Sequence, residues 1–159
     1  MSELTSVNGK RKLLIATSNF GKFEEIKEDL AIIDGLEVLG LADLGLENDY
    51  VEVGSSHEEI ALGKAKYFFD KCGVMTLADD TGIIVDALKN ELGVKTRRWG
   101  AGESVSDQEW LDYFLKVMEP ISDEKRTARF TCCVCLIDEN GHSNLFDGIT
   151  EGCITRKMM

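Results

Sequence analysis

The chain has 159 residues, 43% of them hydrophobic, and a formal net charge of −11. That length suits one domain with a real core and is too short for two comfortable ones. The acidic balance argues against a broad nucleic-acid or anionic-membrane surface, which needs clustered Lys and Arg, but leaves room for one small polyanion held by local positive charge or a metal.

Lys12-Leu13-Leu14-Ile15-Ala16 reads as a buried first strand, ending in Thr17-Ser18-Asn19-Phe20-Gly21-Lys22. From Lys22 the apolar positions Phe23, Ile26, Leu30 and Ile33 recur at helical spacing among acids and lysines, which predicts an amphipathic helix stopped by Asp34-Gly35. Leu36 to Leu41 reads as a second strand, and residues 42–54 as an irregular acidic stretch with Glu47, Asp49 and Glu52. Ser55-Ser56-His57-Glu58-Glu59 offers a capping box in two registers, Ser55 with Glu58 or Ser56 with Glu59. The helix it opens would bury Ala61, Leu62, Ala65, Phe68 and Cys72 before Gly73 ends it.

Val74-Met75-Thr76-Leu77-Ala78 reads as a strand running into an acidic turn, Asp79-Asp80-Thr81-Gly82, with a short strand at Ile83-Ile84-Val85 beyond it. Residues 86–105 show little periodicity and hold Lys95, Arg97 and Arg98. Ser106 to Glu109 is another capping box, opening a helix with Trp110, Leu111, Phe114, Leu115 and Met118 on one face and Pro120 past its end. Arg129 to Ile137 and Ser143 to Ile149 read as strands joined by an Asn140-Gly141 hairpin turn. Helices alternating with strands, then a hairpin, predict an α/β fold with a mixed central sheet.

Neighbouring carboxylates such as Asp79 and Asp80 repel, and a strand end packed in a core screens them poorly. Such a pair is most readily kept where a divalent cation or a cationic substrate offsets it. The competing reading is a turn in which one acid caps a backbone N–H and the other faces water. Glu52 and Glu59 are candidate metal partners, since Mg²⁺ takes carboxylate oxygens and keeps several waters. Glu59 has the alternative of serving the helix cap, and Glu52 that of a solvated loop acid. Lys22 falls in the first turn of its helix, where the macrodipole disfavours a cation. An anion cradled by the N–H groups from Ser18 to Gly21 and the Lys22 ammonium explains that placement; an ordinary capped helix with a solvated lysine is the alternative. Arg97 and Arg98 could reach phosphate or balance the acidic surface. Cys132, Cys133 and Cys135 alternate along a strand and read as ordinary core cysteines, not a zinc site. His57 and His142 fall in a cap and a turn, with no nucleophile–His arrangement. Five cysteines, an odd count, without a secretory signal fit a reducing cytosol, and the short first apolar run fits neither a leader nor a membrane span.

Together, Thr17 to Lys22, the Glu-Glu-x-Ala-x-x-Lys-Ala run from Glu58 to Ala65, and Ala78-Asp79-Asp80-Thr81-Gly82 resemble the Ham1/RdgB/ITPase family of inosine/xanthosine triphosphate pyrophosphatases. Thr127-Ala128-Arg129-Phe130 and Gly148 to Ile154 extend the likeness, so that it runs from about Lys12 onward. The resemblance implies an ITPase-like (Ham1/Maf-type) α/β/α architecture in a single domain over residues 1–159. It also implies Mg²⁺-dependent cleavage of purine nucleoside triphosphates (ITP, dITP, XTP) to monophosphate and pyrophosphate, in a cytoplasmic homodimer without nucleic-acid or membrane partners. By the same likeness Thr17, Ser18, Asn19, Phe20, Gly21, Lys22 and Thr81 bind substrate. Glu52 and Asp80 hold metal, with Asp79 and Glu59 as further candidates, and Asp80 accepts the proton of the attacking water. Thr81 stands where the family commonly has Ser, Ile60 where it commonly has Asn, and Lys95 to Gly100 where many members carry a Tyr-Ser-Ala-Arg-Tyr type of segment. The chain stops before the family's Phe-Gly-Tyr-Asp and Ser-His-Arg motifs, so the expected fold lacks its last part and base discrimination is expected to be poor. A truncated, non-catalytic nucleotide-binding or structural remnant of the family is the alternative. A receiver-like signalling domain also pairs acids with a lysine, but there the acids follow the first strand and here the third.

Overall fold

The computed structural model describes residues 6–7, 9–89, 91–102 and 104–157. In chain order its main elements are strands β1 (Ser6–Val7) and β2 (Lys10–Ile15), helix α1 (Phe20–Leu30), strand β3 (Leu36–Leu39), helix α2 (His57–Cys72), strand β4 (Met75–Val85), helix α3 (Asp107–Met118), and strands β5 (Thr127–Ile137) and β6 (Ser143–Cys153). Among the described residues the strands form one mixed sheet, ordered β1-β2-β4-β5-β6 with β3 also on β2. Strand β2 runs parallel to β3 and to β4. Parallel neighbours require crossovers, and α1 and α2 lie within the two segments that supply them.

The chain forms two compact units: Met1–Asp80 with Cys133–Phe146, and Thr81–Cys132 with Asp147–Met159. In the first, the strand period of two sends alternate side chains of β2 to opposite faces. Leu13 and Ile15 join Met75 under Phe23, Ile26 and Leu30 of α1. Leu14 and Ala16 join Val74 and Ala78 under Ala61, Ala65 and Phe68 of α2, with Cys133, Cys135 and Ile137 completing that core. Gly73, in the left-handed conformation at φ 65°, ends α2. At the β5–β6 turn, Asp138 Oδ1 accepts from the N–H groups of Asn140 and His142, and Gly141 takes φ 83°.

In the second unit, Phe114 and Met118 of α3 pack with Ile83, Val85, Leu88, Leu92 and Ala128. Both halves of the Ser106–Glu109 capping box are present. Arg126, only 3% exposed, donates to the carbonyls of Met118, Ile121, Ile154 and Thr155. A buried guanidinium is tolerated because its donors are satisfied. It ties the end of α3 to the segment following β6.

Three expectations are corrected. The acidic turn does not exist: β4 continues through Asp79, Asp80, Thr81 and Gly82 to Val85, so Val74–Ala78 and Ile83–Val85 belong to one strand. Helix α1 starts at Phe20 and stops at Leu30, leaving Ile32 and Ile33 exposed beyond it. Strand β6 extends past Ile149 to Cys153 at one end of the sheet order, and every one of its residues is exposed. No helix among the described residues is long and apolar enough to cross a membrane.

Candidate active site

The site forms where β2 ends and β4 continues. The last paired residues are Ile15 and Leu77, so Asp79 and Asp80 emerge just past the end of β2. They are 7% and 9% exposed. Being adjacent in a strand, they point to opposite faces, Asp79 with Met75 toward α1 and Asp80 with Ala78 toward α2.

On the first side, Asn19 caps α1 by accepting from the N–H of Lys22 at 3.1 Å, and its own N–H donates to Thr17 Oγ1 at 3.2 Å. Asn48 Nδ2 donates to Ser18 Oγ at 3.0 Å, while the Phe20 ring is 76% exposed. A Cβ on Gly21 would press against the capping oxygen at 3.3 Å, so the turn favours glycine. The cap leaves Lys22 in the first turn of α1, and its Nζ lies 2.5 Å from Asp79 Oδ2. The unfavourable dipole at that position is offset by a nearly buried carboxylate.

On the second side, Ser56 caps α2 by accepting from the N–H of Glu59 at 3.2 Å. The Glu59 carboxylate reaches back to Ser55 instead, accepting from its N–H and hydroxyl at 2.8 and 2.9 Å. Those bonds hold Glu59 below the usual carboxylate range and commit it to the cap. His57 opens α2, and its Nδ1 lies 2.5 Å from Asp80 Oδ2. Two turns on, Lys64 Nζ lies 3.1 Å from Glu52 Oε1 and donates to the main-chain carbonyl of Asp79 at 2.8 Å. Gly63 lets the Tyr50 hydroxyl come close, since a Cβ there would overlap it. Burial pushes the Tyr50 phenol up, and the charges of Glu52 and Asp80 push it further. Lys64 is the geometric link, bonded to Glu52 on one side and to the Asp79 carbonyl, next to Asp80, on the other.

The structure thus brings Lys22 to Asp79, with Thr17, Asn19 and Gly21 in the turn that opens its helix, and through Lys64 it ties Glu52 to the backbone of Asp79, next to Asp80. Lys22 meets Asp79 through its ammonium. Thr81 continues β4, half-buried, in the second unit. Arg97 donates to the Val105 carbonyl and Arg98 to that of Val94, both within their own loop and turn. The cysteines among the described residues are free thiols. Two site residues escaped the sequence reading. The sequence places His57 in a helix cap only, and Lys64 figures there only as part of a motif. The available signal for Lys64 was a cation spaced with Ala61, Ala65 and Phe68 on the buried face of α2.

Among the described residues no three His, Cys, Asp or Glu side chains converge as a complete metal cage. The donor set still fits Mg²⁺, which needs only one or two carboxylates and completes its shell with waters and phosphate oxygens. Glu52 and Asp80 supply hard oxygens in one neighbourhood, and Lys22 and Lys64 supply the positive charge a polyphosphate needs.

A model of the Ham1 family matches residues 13–159. The chain belongs to the Ham1 family. It is 35% identical over 148 residues to the dITP/XTP pyrophosphatase of Oceanobacillus iheyensis, covering 92% of this chain and 74% of that protein. It is 39% identical over 143 residues to the dITP/XTP pyrophosphatase of Thermus thermophilus, covering 90% of this chain and 67% of that one. Its fold is similar to the structure of a HAM1 protein from Coxiella burnetii, with a TM-score of 0.79 and 30% identity over 92% of this chain and 74% of that chain. A nucleoside-triphosphatase / dITP/XTP pyrophosphatase from Mycobacterium abscessus gives 0.72 and 31%, covering 92% and 75%. These homologues are hydrolases, and the Ham1-like α/β fold inferred from the sequence motifs is the fold observed.

Proposed function

We propose that this Ham1-family chain is a Mg²⁺-dependent nucleoside triphosphate pyrophosphatase, acting on ITP, dITP and XTP to release the monophosphate and pyrophosphate. The observation that carries this is the juxtaposition of two nearly buried acids with two lysines just past the end of β2. In this reading the Thr17–Lys22 turn and Thr81 bind the triphosphate. Lys22 and Lys64 exchange their carboxylate partners for phosphate oxygens and stabilise the charge developing there. Glu52 and Asp80 hold the cation, with Asp79 beside them as the partner of Lys22. The cation, when bound, lowers the pKa of a water and neutralises phosphate charge. Asp80 accepts the proton of the attacking water, and its hydrogen bond with His57 orients the carboxylate for that task. The free cysteines support a reducing compartment, the cytoplasm. The homodimer rests on the family resemblance alone.

The test is product identity. Phosphorus NMR of inosine triphosphate incubated with the protein and Mg²⁺ in ¹⁸O-water should show pyrophosphate, with the label in the monophosphate if water attacks the α-phosphorus. Accumulation of orthophosphate with inosine diphosphate would refute the assignment.

A further inference from the structure

Lys64 is the most enclosed cation in the site, its side chain 13% exposed against 38% for Lys22. Its ammonium is held by two hard oxygens, Glu52 Oε1 at 3.1 Å and the main-chain carbonyl of Asp79 at 2.8 Å. Carboxylate and carbonyl oxygens are also the donors a hard divalent cation selects. We propose that Lys64 is a built-in competitor for the metal: in the free protein it neutralises Glu52, and it yields that carboxylate only when a triphosphate offers it replacement oxygens. The proposal rests on the reading of Glu52 and Asp80 as metal ligands and adds the coupling between metal and nucleotide.

The charge count gives the direction. Glu52, Asp79 and Asp80 carry three negative charges, and Lys22 and Lys64 carry two positive ones. A divalent cation arriving alone must eject Lys64 from Glu52 and leave a largely enclosed ammonium without its counter-charge, which is costly. When a triphosphate arrives as well, its oxygens take up the ammonium, and the cation meets a carboxylate already released. Metal affinity is therefore low without nucleotide and higher with it, and linkage requires the metal to raise nucleotide affinity by the same factor. Lys64 occupies Glu52, whereas the described partner of the second ligand, Asp80, is His57 on Oδ2, so the cation competition is concentrated at Glu52.

Mn²⁺ serves as the probe, its binding to the nucleotide-free protein read by electron paramagnetic resonance of the unbound ion. Lys64→Met and Lys64→Gln should each tighten Mn²⁺ binding by at least about fivefold, the low end of ordinary coupling factors. Lys66→Met is the control: it makes the same change in net charge on α2, at an exposed side chain paired with Asp70, and should change binding by less than about twofold if only screened long-range charge is felt. Asp80→Asn should abolish the Mn²⁺ site. Thermal melts confirm folding, and Lys64→Gln, which keeps a polar N–H donor without the charge, carries the test if the Met variant does not fold. If Asp80→Asn removes the site yet both Lys64 variants bind Mn²⁺ no better than the parent, the competitor role is overturned and the metal assignment stands. If Asp80→Asn leaves Mn²⁺ binding unchanged, the metal assignment itself is overturned, and the competitor role with it.

Discussion

Tyr50 carries no proposed chemistry, yet its environment reports on the site. Burial disfavours its phenolate, and the Glu52 and Asp80 carboxylates add like-charge repulsion, so its pKa lies above the ordinary 10.0. The unfolded phenol releases its proton near 10, while the folded one holds on. The contribution to stability is therefore complete below pH 10 and is lost as pH rises through 10 toward the folded value. An ultraviolet titration of the parent, less that of Tyr50→Phe, should give a midpoint above 10.0, and Asp80→Asn should move it down. An Asp80→Asn midpoint equal to that of the parent would mean that the Asp80 carboxylate does not act on Tyr50. Lys22 shows how far a single residue is legible in a sequence. Its misfit with the helix dipole points to an anion at the helix N-terminus, but a carboxylate 57 positions away answers that need as well as an anion would. His57 gave no such signal, because a histidine at a helix start is ordinary and its acid partner lies 23 residues on.

Among elements, the helices were the most legible. Cap chemistry and the 3.6-residue period are local, and Ser56, Ser106, Gly73 and Pro120 mark ends close to those observed. The first α2 register was ambiguous because Ser55 and Ser56 both contribute: one hydroxyl caps the helix and the other donates to Glu59. The box on α3 is simpler. Replacing Ser106 by Ala removes the acceptor for the Glu109 N–H and should cost about 1 kcal/mol of stability. That would appear as a lower urea midpoint at unchanged m-value, and an unshifted midpoint would show that the cap contributes nothing. Strand β4 is hidden in the sequence because Asp-Asp-Thr-Gly has turn composition. Tertiary context overrides it: Lys22 and His57 satisfy the two acids from opposite faces, so the backbone remains extended and β-branched Thr81, Ile83, Ile84 and Val85 carry it onward. No local pattern could reveal that, since both partners lie on other elements.

At the scale of the whole molecule, the proposed chemistry is concentrated in one of the two compact units. Three ion pairs of the site, Lys22–Asp79, His57–Asp80 and Lys64–Glu52, fall within residues 1–80. The other unit has its own core around Phe114 and Met118 and its own buried anchor in Arg126. The net charge of −11 therefore coexists with a site whose lysines nearly balance its acids, which is how an acidic protein holds a polyanion without a basic surface. The family resemblance was readable because its motifs combine in order along the chain, whereas the face each acid takes was not, because it depends on register in the sheet. The central claim is that Asp80 is the base and metal ligand of a pyrophosphatase. Pyrophosphate release from inosine triphosphate, measured for the parent and for Asp80→Asn at one saturating Mg²⁺ concentration with matched circular dichroism, tests it most directly. The account predicts a parent that turns over and a variant slowed by at least about a hundredfold, since general-base action alone contributes on that order. A folded Asn variant that releases pyrophosphate as fast as the parent would contradict it.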